Sequence, residues 1–194
     1  MYDVNLINKL IRHRRSIFPR DYSGEKVDDA IVQQILENAT WAPTHKMTQP
    51  WRFMIFTGDG LKKLAEFQGA CYKEVATAKG KFEQDKYEGL LTKPMQSSHI
   101  ISIGMKRDEK KSIPELEEIG AIYCAVENMY LTATAYGLGA YLSTGGITFY
   151  EEAKPFFNLG AEDKLLGFFH VGNTTYSPPD NKRRPVEALS VWVR

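Results

Sequence analysis

The amino-acid sequence predicts an α+β fold, and three observations carry that prediction. Short runs rich in β-branched and aromatic residues, bounded by glycine and polar residues, occur at Trp51–Phe56, Ser98–Met105, Gly139–Ser143 and Leu165–Val171, a pattern of strands. Apolar residues at helical spacing recur through the segments between them. Helices and strands do not alternate one for one, which argues against a doubly wound parallel sheet.

Residues 3 to 13 read as a helix with Val4, Ile7, Leu10 and Ile11 on its apolar face. Arg12-His13-Arg14-Arg15-Ser16 follows, with three guanidiniums and a hydroxyl in five residues. Two roles suit it: bidentate recognition of phosphate, or plain complementation of the dipole at a helix C-terminus. A second helix runs from Asp28 to Thr40, with Ile31, Ile35 and Ala39 in helical register and Asp28-Asp29 where the dipole favours negative charge. Pro43 stops it, because the residue before a proline is disfavoured in helical geometry.

The stretch WAPTHKMTQPWRF, Trp41 to Phe53, crowds two tryptophans, a histidine and a glutamine between that helix and the first strand, which Gly58 ends. Held by Pro43 and Pro50, it suits a grip on a flat heteroaromatic ring. The plainer alternative is a turn whose tryptophans pack into the core. Gly60 to Phe67 reads as a short helix. Tyr72 to Leu91 is charged, with Lys79, Lys81, Glu83, Asp85, Lys86 and Glu88 close together, and reads as a solvated helix or a mobile cover. Lys106 to Lys111 is a charged connection after the second strand.

Glu115 to Tyr136 carries Ile119, Ile122, Tyr123, Val126, Met129, Tyr130, Ala133 and Tyr136, with Gly120, Ala121 and Ala125 between them. Apolar or small residues cover most of its circumference, which predicts burial on nearly all sides, in a core or at a subunit interface. The last two strands, Gly139–Ser143 and Leu165–Val171, are separated by a helix near Phe149–Phe156. No repeat, linker or low-complexity segment interrupts the chain.

At 194 residues the chain fits one domain, residues 1 to 194, with a sizeable core. Aromatic content of 12% speaks for a packed interior and against disorder. A net charge of +1 gives no reason to expect nucleic acid or an anionic membrane as partner. Cys71 and Cys124 are too few for a disulfide framework or a metal site, and suit a reducing compartment. The N-terminus lacks the zones of a signal peptide, and no apolar run approaches the ~20 residues that cross a bilayer. The expectation is a soluble, cytoplasmic protein.

Five blocks in sequence order carry a resemblance. They are Arg14-Arg15-Ser16-Ile17; Ala42-Pro43-Thr44-His45 with Gln49-Pro50-Trp51-Arg52-Phe53; Glu118-Ile119-Gly120-Ala121 with Gly137-Leu138-Gly139-Ala140; Leu166 to Gly172; and Lys182 to Glu187. Together they span nearly the whole chain and resemble the nitroreductase family of flavin enzymes. The resemblance implies a central mixed or antiparallel sheet flanked by helices, with the long buried helix at a homodimer interface and flavin bound at that interface by both chains, the clamp of Arg14 to Ser16 with Lys182-Arg183 from one and the loop from His45 to Gln49 from the other. It implies FMN as cofactor, NADH or NADPH as electron donor, and an electron-poor small molecule such as a nitroaromatic or quinone as acceptor, used in alternation.

Residue by residue, the resemblance puts Arg14, Arg15 and Ser16 on the flavin phosphate and ribityl chain, and Lys182 and Arg183 as a second half of the phosphate clamp. The alternative for the latter pair is a solvated basic tail. His45 falls beside the flavin pyrimidine or ribityl portion, with Trp41 and Gln49 as second-rank contacts; Trp51 and Phe53 read as core. Leu142, Ser143, Thr144 and Gly145, ahead of Gly146, offer amides near the flavin N5, where glycine permits close approach and oriented donors favour developing charge. An ordinary strand-to-helix turn is the alternative. No acid–base residue is named as catalytic, because the cofactor performs the redox step, and no metal site is expected.

One departure stands out. Many relatives carry asparagine two positions before the glutamine of Gln-Pro-Trp, and this chain has Met47, with Pro43-Thr44-His45 in the pattern of a family branch. Other readings are a specialised branch performing flavin destruction or dehalogenation, or a non-catalytic protein that stores or senses FMN. A nucleotide-binding module without flavin is disfavoured, because Gly58-Asp59-Gly60 lacks the third glycine of a dinucleotide fingerprint.

Overall fold

A computed structural model describes residues 2–179 and 182–194. Four antiparallel strands, β1 (Trp51–Thr57), β2 (His99–Met105), β3 (Leu138–Ser143) and β4 (Lys164–Asn173), form one sheet in the order β1-β2-β4-β3. The register pairs Ile55 with Ile101, Ile101 with Phe169, and Ala140 with Val171. Successive residues of a strand face opposite sides, and both faces of β2 are buried. Ile101, Ile103 and Met105 join Phe169 and Val171 in one core cluster, while Ile100 joins Phe168, Leu165 and Phe56 in the other.

Helices α1 (Val4–His13), α2 (Asp29–Thr40), α3 (Asp59–Ala78), α4 (Gln84–Thr92) and α5 (Glu115–Ala135) complete the layers. The first cluster packs α2 and α5 on the sheet; the second packs α3 and the short 3-10 turns Gly146–Phe149 and Glu151–Phe157 on the opposite face. The carboxylate of Asp3 caps α1 by accepting the Asn5 and Leu6 amides, and Asp28 caps α2 through the Ala30 amide.

Two expectations change. The region from Tyr72 onward is not one solvated segment: α3 continues to Ala78, burying Cys71, Tyr72, Val75 and Ala76. Gly80, at φ 65°, makes the turn into α4, and Gly69 opens the space that the Leu91 side chain enters, since a Cβ there would lie 2.8 Å from it. The expected helix near Phe149–Phe156 is a pair of 3-10 turns, with Pro155 inside the second.

The long helix also differs in detail. α5 buries Ala121, Ile122, Ala125, Val126, Met129, Tyr130 and Ala133, but Leu116, Gly120, Tyr123, Cys124 and Glu127 form an exposed stripe in the single chain. Small residues on that stripe gave it the look of an all-round core helix. α1 buries nothing, and its Val4, Leu6, Ile7 and Ile11 are exposed.

Segment 17–22 is pinned to the outer half of the sheet by a glycine slot. Gly139 and Gly172 are cross-strand partners, and a Cβ on either would lie 2.5 or 2.3 Å from the Tyr22 ring. The Tyr22 hydroxyl donates to the Ile17 carbonyl (3.0 Å), and the Ile17 amide donates to Ala140 (2.9 Å). Burial raises the Tyr22 pKa, so it remains a neutral donor.

The start of α5 is fixed by a buried charge. Glu118, 0% exposed, pairs with Arg107 and accepts the Asp108 amide at 2.8 Å; Arg107 also donates to the Ile113 carbonyl at 2.7 Å. Removing one partner of such a pair strands the other charge. Glu118→Ala is expected to lower stability by about 3–5 kcal/mol, a fall of about 10 °C in Tm for a chain of this size. Arg107→Met combined with Glu118→Leu should recover part of that loss in the same melting experiment.

Candidate functional site

The predicted residues, Lys182 and Arg183 apart, fall into two groups, one toward each end of α5. The first forms where α1 ends. Arg14 closes that helix, its amide donating to the Leu10 carbonyl at 3.1 Å. Its guanidinium lies over the Tyr130 ring, 5.1 Å from the centroid, with Nε 3.5 Å from a Glu127 carboxylate oxygen. The two terminal nitrogens of Arg14 make no hydrogen bond among the described residues, and the side chain is 21% exposed. That is the donor set of a phosphate fork: partly desolvated, oriented from below and open at its outer edge. Arg15 turns back, with Nη1 on the carbonyls of Arg12 (2.5 Å) and Arg14 (2.9 Å).

Tyr130 ties this corner to the end of β3. Its hydroxyl lies 3.3 Å from Ser16 Oγ and accepts the Leu142 amide at 2.7 Å, while its ring meets Phe169 edge-on at 4.9 Å. Burial raises its pKa. The structure thus joins Arg14, Ser16 and Leu142 through a residue that reads in the sequence only as part of an apolar helix face. A buried phenol needs a hydrogen-bond partner, and that requirement was the available signal.

Ser143, Thr144 and Gly145 continue from Leu142 into the turn. Thr148 Oγ1 donates to the carbonyls of Thr144 (3.0 Å) and Gly145 (3.2 Å), bonds that use only the carbonyl side of the turn. Of the two glycines, Gly146 takes the positive φ, 69°, while Gly145 is at −106°. Ser143 Oγ lies 3.3 Å from Nε2 of buried His170, whose Nδ1 is 2.9 Å from Ser97 Oγ. Lys182 and Arg183 are exposed and form no hydrogen bond or ion pair among the described residues, so the structure does not join them to Arg14.

The second group is the loop from Trp41 to Gln49. Trp51 is core, 8% exposed, and Phe53 packs against that core, as predicted; Trp41, at the end of α2, is 85% exposed. His45 Nδ1 bonds Glu117 in the first turn of α5. Gln49 donates its amide to Thr44 Oγ1 (3.2 Å) and accepts Arg52 Nη1 on its carbonyl (3.2 Å). Lys46, Met47 and Gln49 all adopt positive φ, at 50°, 55° and 44°. Asparagine tolerates that region better than methionine, which gives the Met47 departure a local conformational cost.

Glu117 and Tyr130 are thirteen residues apart on one helix, about 20 Å along its axis. Within one chain, therefore, His45 and Arg14 stand apart along α5. A 460 Å³ cleft between α1, α2 and α5, lined by Leu10, Gln34, Asn38, Leu131, Thr132, Ala135 and Tyr136, includes neither.

Comparison with known proteins identifies the family and the fold. The nitroreductase family model matches residues 11–173, and the chain belongs to that family. It is 28% identical over 155 residues to an Escherichia coli K12 protein named "Putative NAD(P)H nitroreductase YdjA", covering 77% of this chain and 82% of that one. A nitroreductase-like family protein from Bacillus cereus superposes with a TM-score of 0.83 at 23% identity, over 100% of this chain and 98% of the other. A Desulfovibrio desulfuricans structure described as a "putative nitroreductase in complex with FMN" gives 0.73 at 26% identity, over 100% and 99%. The fold is nitroreductase-like. No helix among the described residues is long and apolar enough to cross a membrane.

His170 generates a pH prediction. Burial depresses its pKa from 6.5 to about 4, so between those values the unfolded chain binds the proton and the folded one does not. Stability then falls as pH drops from 6.5 toward 4, by up to about 1.4 kcal/mol per pH unit from this group. Denaturant titrations across that range should show His170→Gln losing stability less steeply than the unsubstituted protein.

Proposed function

We propose that the protein is an FMN-dependent oxidoreductase that takes electrons from NADH or NADPH and passes them to an electron-poor acceptor of the nitroaromatic or quinone type. The observation that carries the reading is Arg14: a partly buried guanidinium, held by Glu127 and by the ring of the same Tyr130 whose hydroxyl meets Ser16 and the Leu142 amide, with its outer nitrogens uncommitted among the described residues. FMN, when bound, supplies the redox chemistry by accepting hydride and giving it up. The chain's own part is to bind and orient. Arg14 takes the phosphate, with Arg15, Ser16, Lys182 and Arg183 as further ribityl and phosphate contacts. The turn from Leu142 to Gly145 brings backbone near the ring system, and His45, Trp41 and Gln49 close on it from the other side. FMN in the Desulfovibrio relative and the NAD(P)H in the name of the Escherichia coli relative support this choice of cofactor and donor.

The site is completed by a second copy of the chain. The half-sites lie about 20 Å apart along α5, and the exposed stripe Leu116, Gly120, Tyr123 and Cys124 runs between them. Val4, Leu6, Ile7 and Ile11 of α1, and Val191, Trp192 and Val193 of the tail, add exposed apolar surface that an interface would cover. A two-fold dimer packing α5 against its counterpart in opposite directions sets the His45 loop of one chain near Arg14 of the other. The cytoplasm, a reducing compartment, suits two unpaired thiols.

The purified protein should show flavin absorbance bands, sediment as a dimer at micromolar concentration, and oxidise NAD(P)H when an acceptor is added. Turnover separates an enzyme from a flavin-storage protein. With donor and acceptor sharing one flavin face, double-reciprocal plots at several acceptor concentrations should be parallel; intersecting lines would replace the shared site with a ternary complex. Arg14→Ala should weaken FMN binding about ten- to a hundredfold, the loss of one charge-assisted hydrogen bond. Unchanged affinity in a titration would leave Arg14 only its helix-capping role.

A further inference from the structure

The loop that presents His45 is conformationally costly. Three non-glycine residues out of four, Lys46, Met47 and Gln49, sit at positive φ, each a strain that persists only where surrounding contacts over-determine it. Those contacts are few and specific. Lys46 Nζ donates to the Ser112 carbonyl at 2.9 Å, Gln49 is held by Thr44 and Arg52, and His45 is held by Glu117. Of these, the bond to Glu117 is the one made by an imidazole, and it does more than tether.

An ionised carboxylate only accepts hydrogen bonds, so the ring nitrogen facing it must carry the proton. Here that nitrogen is Nδ1. Nε2 makes no hydrogen bond among the described residues, and in the neutral ring it is left as an acceptor. Both side chains are about half exposed, His45 at 53% and Glu117 at 44%, so the outer edge of the ring is accessible to a ligand. Glu117 itself lies in the first turn of α5, where the helix dipole favours a negative charge whether or not a histidine is near.

We propose that Glu117 is the positioning residue for His45: it fixes the imidazole in its Nδ1–H tautomer and holds the strained loop, leaving the Nε2 lone pair for an N–H or O–H of the bound flavin. The proposal rests on the flavin reading for its ligand, but not for the tautomer. A residue that merely completes the first turn of α5 would alter melting temperature and leave the state of the His45 ring unchanged.

Two measurements test it. Nitrogen-15 NMR of the four histidines, followed through a pH series with His45 assigned from its absence in His45→Gln, should show protonated Nδ1 and unprotonated Nε2 for the uncharged ring of flavin-free protein; Glu117→Ala should return the ring to a tautomer mixture. An Nε2–H ring in the unsubstituted protein would overturn the proposal. In a double-mutant cycle on the FMN dissociation constant, His45→Ala and Glu117→Ala should each weaken binding about tenfold, and the double variant should be no weaker than His45→Ala alone. Multiplicative losses of about a hundredfold, or a loss for His45→Ala with none for Glu117→Ala, would show that the two act independently and overturn the proposal. If the unsubstituted protein binds no FMN, the flavin reading fails while the tautomer measurement still judges Glu117.

Discussion

The carboxylate of Glu118, buried without solvent contact, accepts from Arg107 and from the Asp108 amide, and this pairing fixes how far α5 extends along the sheet. A buried ion that loses its partner is far more costly than a misplaced leucine, so the helix has one axial setting. Everything placed by α5 inherits that setting. Glu117, one residue earlier, meets the His45 loop; Glu127 and Tyr130, further along, meet Arg14, Ser16 and the end of β3. A slip of α5 by even one residue would rotate it by about 100° and break both sets of contacts together.

Two phenols translate the fixed helix and sheet into positions for the arginine segment. Tyr130 supports Arg14 from beneath and links Ser16 to Leu142, and Tyr22 locks the following residues into the slot opened by Gly139 and Gly172. In the first case an aromatic face contributes to holding a cation; in the second, missing side chains on paired strands make the room. The arginine segment is thus short, yet defined on two sides by phenol hydroxyls with satisfied hydrogen bonds.

Much of this was legible in the residues. The four strands appear where β-branched runs predict them, within one or two residues at their ends, and α2 begins at its acidic cap and ends before Pro43. Trp51 and Phe53 read correctly as core. α3 was cut short because Gly69-Ala70 and the charges after it imitate a boundary, whereas that glycine serves close packing of Leu91 against the helix. The all-round apolar look of α5 concealed an exposed stripe, because glycine, alanine and cysteine carry little information about which face is covered. The resemblance, not any spacing, carried the expectation that His45 and Arg14 serve a site from different chains; their separation along α5 within one chain is what the structure adds. Spacing along a chain does not say which end of a helix a loop will reach. Nor was the positive φ of Lys46, Met47 and Gln49 legible, since none of these residue types favours it.

The central claim is that each flavin site draws Arg14 from one chain and His45 from the other. It is tested most directly by mixing Arg14→Ala and His45→Ala proteins, each weak in FMN binding, under conditions that exchange subunits. In the hybrid dimer one site carries both substitutions and the other carries neither. The account predicts that hybrids isolated by differential tags bind one FMN per dimer with the affinity of the unsubstituted protein. Hybrids in which neither site regains that affinity would contradict it, placing Arg14 and His45 in the same chain's site or outside any shared one.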